Sequence, residues 1–281
     1  MSLRCQMKIA LAACSDPVSP DSMNDIYKVI EKLRASGVDA ELIPAFFEPD
    51  HSPEKRGRAL NACFRDPGVD YIFDVSGGDL ANQVLPYLDF DAIRESHAVF
   101  AGYSDLTTVI NAIIARTGRP AVNYQIRHIL SEHGDEQMDY LLNTILADRI
   151  SPRDLECRFI RGSSMSGRVL GGNIRCFLKL AGTPYWPDVD HAILLLESLR
   201  GRSYQMLTQL AQYGQMGVWD KISGILLGTF TKMEESMKEP PMAELVLQNI
   251  PPELPVAETR FIGHYTDARA IALGRETVIE A

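Results

Sequence analysis

The sequence predicts an α/β protein, with a parallel sheet wound by helices in its first half and a smaller β-rich second domain. Three observations carry that expectation. Short apolar runs alternate with helix-like segments through the first half of the chain. Polar, glycine-bearing turns stand where two of those runs end. The texture changes at about Ser151, where charged and small residues lead into shorter strands and turns.

The elements follow in order. MKIALAAC reads as the first strand. Asp21 to Ser36 sets Met23, Ile26, Val29, Ile30 and Leu33 at helical spacing, and Gly37 supplies a stop. DAELIPAF is the next apolar segment, followed by a helix around Pro53 to Asp66, then DYIFDVSG, then a helix from Ala81. AVFAGYS and a helix from Leu106 to Arg116, ending at Gly118, complete the alternation. Such a pattern argues for a parallel sheet covered on both faces, in which ligands sit beyond the carboxyl ends of the strands. DVSGGDLANQ (Asp74 to Gln83) and GYSD (Gly102 to Asp105) both fall there.

The expected organisation is a first domain over residues 1–150, a linker over 151–165 and a second domain over 166–281. The second domain holds RVLGGNIRCFLKLAGTPYWPD, HAILLLES, a helix from about Tyr204 to Gly214, and the strand ISGILLGTF. A Pro-rich, acidic connection, KEPPMAELVLQNIPPELP, precedes strand-like pieces in FIGHYTDARAIALGRETVIE. No internal repeat or low-complexity segment is visible.

Composition narrows the function. The chain has 281 residues, 46% hydrophobic and 23% charged, which is enough to bury a core and leaves no case for disorder. Its net charge of -9, without a block of like charges, gives neither a phosphate-backbone footprint nor a polybasic membrane patch. Nucleic acid and membrane are therefore not expected partners. No apolar run is long enough to span a bilayer, and the N-terminus lacks the basic-then-apolar layout of a signal peptide, so a cytoplasmic location is expected. Met1-Ser2-Leu3 reads as an addition ahead of RCQMKIALAA. The five cysteines, at 5, 14, 63, 157 and 176, form no C-x-x-C pair and have no His at metal spacing; they read as reduced thiols, and no metal is expected. Neither G-x-G-x-x-G nor a phosphate loop occurs, so no nucleotide cofactor is expected.

The candidate chemistry centres on Ser104. A Ser-Asp pair after a strand serves as a helix N-cap, and the same sharp turn also exposes a nucleophilic hydroxyl beside free backbone N–H groups. G-x-S-x-G is matched only in part, because Leu106 stands at the second glycine. A serine nucleophile needs a base. His51, His97, His128 and His133 read as surface residues and His191 as a strand-edge residue, whereas His264 follows Gly263 in a late loop able to reach across from the second domain. The orienting acid is Glu197, a carboxylate at the end of the apolar strand HAILLLES, which is paired either with Arg200 or Arg202 or with an imidazole.

VSGGDLANQVLPYLDFDAIRESHAVFAGYSDLTTVINAIIARTG, RVLGGNIRCFLKLAGTPYWPD, AILLLES with YQMLTQLAQYG, ISGILLGTF and the late GH, taken together and in this order, resemble the LD-carboxypeptidase serine peptidases. These include muramoyltetrapeptide carboxypeptidases and microcin-immunity peptidases. SDPVSP near the N-terminus belongs to the same resemblance, which runs through nearly the whole chain. It implies a Rossmann-like first domain, a smaller β-rich second domain, a homodimer, and a metal-free Ser-His-Glu triad at the domain junction. The nucleophile then falls on Ser104, the acid on Glu197 and the base on His264. The glycine turn at Gly77 and Gly78, with Gly78 as donor, and the backbone N–H of Asp105 form the implied oxyanion site. Gly77, Tyr103, Trp186 and Tyr265 are candidates for substrate contact.

The substrate that the resemblance implies is a small peptide, a murein tetrapeptide losing its terminal D-alanine, or a peptidyl or aminoacyl nucleotide in the immunity branch. A small-substrate esterase or amidase and a non-catalytic peptide binder are the alternatives. Four departures from the family pattern fall where substrate should sit: Ser198 follows Glu197 in place of Asp, Gln205 replaces Arg, TDAR follows Tyr265, and Asn123 to Gln125 replaces His-Gly-Pro.

Overall fold

The computed structural model describes residues 7–48, 51–236 and 238–281; Met1-Ser2-Leu3 and Cys5 lie outside the described residues. The first half supplies β1 (Lys8–Ala12), β2 (Asp39–Leu42), β3 (Tyr71–Asp74), β4 (Val99–Gly102) and β5 (Ala121–Asn123). The second supplies β6 (Arg158–Arg161), β7 (Ser164–Asn173), β8 (Ile193–Ser198), β9 (Gly224–Phe230), β10 (Val256–Glu258), β11 (Ile271–Leu273) and β12 (Glu276–Glu280). Helices α1 (Pro20–Ala35), α2 (Pro53–Arg65), α3 (Phe90–Glu95), α4 (Thr107–Thr117) and α5 (Gly134–Tyr140) belong to the first half. The second half contributes α6 (Ile174–Leu178), α7 (Ser203–Gln215), α8 (Thr231–Ser236) and α9 (Met242–Asn249).

Two six-stranded sheets result, ordered β11-β5-β4-β3-β1-β2 and β12-β7-β8-β9-β10-β6. In the first, β2, β1, β3, β4 and β5 are all parallel, as the alternating sequence requires, and β11 closes the edge antiparallel to β5. The winding reverses between β1 and β3, which opens a crevice beyond their carboxyl ends. In the second sheet, β7 to β10 are parallel, flanked by antiparallel β12 and β6. The last segment of the chain thus returns to complete the first sheet before it ends on the second.

Local sequence explains the helices. Ser19 Oγ accepts the N–H of Ser22 and Pro20 opens α1, whose buried Ile26, Val29, Ile30 and Leu33 are the apolar positions read from the spacing. The helix expected from Ala81 is instead a 3-10 segment, Ala81–Tyr87, because Pro86 lacks the N–H an α-helix needs; α-helix resumes only at α3.

The sheets are joined through α4 and β7. A Cβ on Gly171 would lie 2.3 Å from the Leu195 carbonyl oxygen, and one on Gly172 would lie 2.7 Å from Thr107 Oγ1. Gly172 of RVLGGN is therefore what lets α4 dock, while Gly171 gives the room in which β7 lies against β8. Asn111 of α4 completes the joint, donating to the Gly171 carbonyl at 2.8 Å and accepting its N–H at 3.0 Å. One apolar core runs through the joint, including Ile110 and Val109 of α4 with Leu170 and Ile174 from the second half. Among the described residues no helix is long and apolar enough to cross a membrane.

Replacing Asn111 by Ala leaves the buried N–H and C=O of Gly171 without partners, at about 1–3 kcal/mol each. Urea unfolding of Asn111→Ala should show a loss of about 2–5 kcal/mol with an unchanged m-value; a loss under about 0.5 kcal/mol would mean that this joint is not held by these bonds.

Candidate active site

The turn after β4 is built around two constraints. A Cβ on Gly102 would lie 2.8 Å from Leu106 Cβ, so only glycine lets the chain fold straight back into the helix. Tyr103 is extended, and Ser104 then takes φ +56, in the left-handed region that costs a non-glycine residue about 1–2 kcal/mol. The 3-10 turn Ser104–Leu106 runs on into α4, and the Ser104 hydroxyl caps neither element. It lines a cleft of about 480 Å³ together with Gly78, Asn173, Arg175, Arg200 and Gln209. The presented serine, not the capping one, is what the backbone makes.

Asp105 secures this turn. Its side chain is fully buried, with Oδ2 accepting from the Ser15 hydroxyl at 2.6 Å and the Ala81 N–H at 2.8 Å. Oδ1 accepts from Lys179 Nζ at 2.5 Å. The backbone N–H of Asp105 sits in the first turn, where a helix leaves its donors unpaired and its dipole positive.

The glycine turn after β3 faces it. Gly78 has φ +130, and a Cβ there would come within 2.1 Å of the Asp16 carboxylate. Asp16 Oδ1 instead accepts the N–H groups of Asp79 at 2.9 Å and Leu80 at 3.1 Å, while the Asp16 N–H donates to the Gly77 carbonyl at 3.3 Å. Beneath lies Asp74, 1% exposed, whose carboxylate accepts from Cys14 N–H, Ser76 N–H and Ser76 Oγ. Burial raises its pKa even against those bonds. The guanidinium of buried Arg56 donates to the carbonyls of Cys14, Ser15 and Leu80, tying the first and third strand ends together.

Glu197 and His264 come from the second half. Glu197 is the last but one residue of the wholly buried β8 and is 1% exposed, so its charge must be matched. Its partner is His264, whose Nδ1 lies 2.8 Å from Oε2, the two side chains being 4% and 2% exposed. The arginine alternatives, Arg200 and Arg202, are not its partners. The imidazole N–H is not aimed along this line, so both nitrogens and both carboxylate oxygens lack an aligned hydrogen bond. The imidazole is placed by glycines: Gly263, at φ +139, would put a Cβ 2.0 Å from Thr229 Oγ1, and Gly228 of β9 would put one 3.0 Å from Glu197 Cβ. Thr229 N–H bonds the Ile262 carbonyl at 2.7 Å, locking the loop on β9.

Tyr103 connects the serine turn to His264, its ring 4.7 Å from that imidazole and 6.2 Å from that of His128. His128 was expected at the surface; it is instead 7% exposed, because the 3-10 segment that follows β5 turns it inward beside Tyr124. Burial, helped by nearby His264 and Arg127, pushes its pKa down to about 4. Of the candidate substrate contacts, Trp186 stacks on Phe177 at 4.4 Å and packs against the core, and the Tyr265 hydroxyl bonds Glu234 at 3.4 Å. Neither lines the cleft around Ser104, and neither does Gly77. Sequence reasoning missed Asp16, Arg56, Asp74 and Lys179. For Asp16 and Asp74 a signal existed, since each follows a strand-ending apolar run; the lysine and arginine carried none. Among the described residues no group of three or more His, Cys, Asp or Glu side chains is arranged to hold a metal ion.

The model of the LD-carboxypeptidase N-terminal domain matches residues 9–124, and that of the C-terminal domain matches residues 166–279. The chain belongs to the LD-carboxypeptidase family. The Bacillus subtilis protein named "Probable murein peptide carboxypeptidase" is 25% identical over 288 residues, covering 96% of this chain and 88% of that one. Microcin C7 self-immunity protein MccF of Escherichia coli is 25% identical over 258 residues, covering 78% and 74%. The solved structure of MccF in complex with glutamyl sulfamoyl guanosine superposes with a TM-score of 0.87 at 21% identity, covering 99% of this chain and 94% of that one. The fold of the chain, two domains with α/β sheets, is thus the family's.

His128 stays neutral in the fold down to about pH 4, while in the unfolded chain it gains a proton near its ordinary pKa of about 6.5. Its folded pKa is depressed, so the native state loses stability as pH falls from about 6.5 to 4. Urea titrations at pH 7 and pH 4 should show wild type losing about 3 kcal/mol more than His128→Gln; equal losses would place the imidazole in water.

Proposed function

We propose that the chain is a serine peptidase in which Ser104, His264 and Glu197 form a catalytic triad, and that it releases the terminal D-alanine of a murein tetrapeptide. The observation that carries this reading is the buried Glu197–His264 contact at 2.8 Å in a structure that also holds Ser104 at φ +56, uncapped, in an open cleft. Burial of a carboxylate against an imidazole is costly unless it does something, and orienting a base is what such pairs do.

In this mechanism Ser104 Oγ attacks the amide carbonyl while His264 Nε2 accepts the hydroxyl proton. Glu197 holds the imidazole tautomer and stabilises the imidazolium that forms. The oxyanion meets the backbone N–H groups of Gly78 and Asp105; each such donor is worth about 3–4 kcal/mol. The C–N bond then breaks as His264 returns the proton to the leaving amine, and water, deprotonated by the same base, hydrolyses the acyl-enzyme. The cleft wall offers Arg175, Arg200, Asn173 and Gln209, polar and cationic groups suited to a free terminal carboxylate. A cytoplasmic, homodimeric enzyme that recycles cell-wall peptides is the form this reading takes.

The second reading is hydrolysis of an aminoacyl or peptidyl nucleotide amide by the same triad. It is supported by the fold shared with MccF, which was solved with glutamyl sulfamoyl guanosine.

Mass spectrometry of a murein L,D-tetrapeptide incubated with wild type and with Ser104→Ala separates these. Wild type should release one D-alanine, and the variant should be slower by about 10⁴-fold or more. Equal release by both would contradict the nucleophile; no release by either, with cleavage of an aminoacyl sulfamoyl nucleoside by wild type, would select the second reading.

A further inference from the structure

Lys179, which follows α6 in the second half of the chain, takes no part in the chemistry above, yet its side chain is only 17% exposed and reaches both walls of the oxyanion site. Its Nζ donates to Asp105 Oδ1 at 2.5 Å and to the Asp79 carbonyl at 2.9 Å. Asp105 directly follows Ser104, and Asp79 directly follows Gly78. One ammonium group therefore grips one oxyanion donor residue, Asp105, through its side chain, and the residue next to the other, Gly78, through its carbonyl.

The rest of the bonding shows what this grip adds. The serine turn is already held within the first sheet, through Asp105 Oδ2 to Ser15 and Ala81. The glycine turn is held from the opposite side, through Asp16 to the N–H groups of Asp79 and Leu80. Lys179 is the bridge that draws the Asp79 carbonyl toward Asp105 from above. The nearby Arg175–Asp79 ion pair is solvent-exposed, with side chains 52% and 63% accessible, so it is screened and weak. A lysine suits the position because its compact ammonium carries three donors, enough to serve a carboxylate and a carbonyl at once.

We propose that Lys179 is a positioning residue that sets the separation of the two oxyanion donors and makes that separation depend on the second domain being docked. The inference rests on the proposed function, because it assigns a role to Gly78 and Asp105 in that reaction. Removing the lysine relaxes the glycine turn away from the serine turn. The tetrahedral oxyanion then loses stabilisation that the bound substrate never required, so kcat falls and KM does not.

The test measures kcat and KM for D-alanine release by wild type, Lys179→Met and Lys179→Arg, together with the rate of Ser104 inactivation by a fluorophosphonate and the thermal midpoint. Lys179→Met should lower kcat and the inactivation rate about 100-fold, the size of effect that misplacement by about 1 Å produces, with KM within about threefold. Lys179→Arg, which keeps a cation and several donors, should recover most of the loss. If Lys179→Met fails to fold because the Asp105 carboxylate is left buried without its cation, Lys179→Met/Asp105→Asn compared with Asp105→Asn alone should show the same fall. A kcat and an inactivation rate within threefold of the reference, whatever the change in melting, would overturn the proposal and leave Lys179 a purely structural residue. Should wild type be labelled at Ser104 but leave the tetrapeptide intact, the inactivation rates alone decide by the same criterion. Absence of labelling at Ser104 in wild type would overturn both this proposal and the triad, and that result is distinguishable because it appears before any variant is made.

Discussion

A serine held in the left-handed region between a buried strand and a helix is the constraint on which this structure depends. The conformation is unfavourable for any residue with a Cβ, so the surroundings must impose it. Gly102 gives room for the reversal, the buried Asp105 side chain fastens the next residue from three directions, and α4 is pinned at its far side by the glycine pair of β7. Because Thr107 and Asn111 of α4 bond the backbone at Asn173 and Gly171, the geometry at Ser104 is shared between both sheets. The site is thus a property of the joined domains, not of the first alone.

Electrostatics reinforce the same arrangement. Three carboxylates, Asp74, Asp105 and Glu197, are buried, and each has a different kind of partner. Asp74 is held by N–H and O–H donors at the end of β3, Asp105 by a lysine as well as such donors, and Glu197 by an imidazole. Only the imidazole partner has a second ring nitrogen left over for another group. That difference separates the two carboxylates that shape the site from the one suited to orient a base. The ring of Tyr103 packs against His264, with ring centres 4.7 Å apart.

Much of this was legible in the sequence because strand-end chemistry leaves a local trace. The alternation of apolar runs and helical spacing gave the parallel first sheet, and Ser104 and Glu197 stood out as polar residues placed directly after such runs. His264 was harder, since a histidine after a glycine in a loop has many uses; its position became meaningful only with the collinear resemblance. Lys179 and Arg56 were invisible because their roles depend on tertiary contacts with residues 74 and 42 positions away, which no periodicity encodes. His128 was misplaced for a related reason. A polar stretch such as Gln125 to Ser131 looks exposed, yet here it turns inward against Tyr103 and Tyr124. Pro86, by contrast, was an overlooked local signal that shortened the helix expected from Ala81.

The central claim, that Ser104 is a nucleophile activated across the two sheets by His264 and Glu197, is tested most directly by locating a covalent adduct. Wild type, His264→Gln and Glu197→Gln would each be exposed to a fluorophosphonate, digested, and mapped by peptide mass spectrometry over a time course. The account predicts an adduct on Ser104 in wild type, formed at least 100-fold more slowly in His264→Gln and more slowly in Glu197→Gln. An adduct on another residue, or labelling of Ser104 at the wild-type rate without His264, would contradict it.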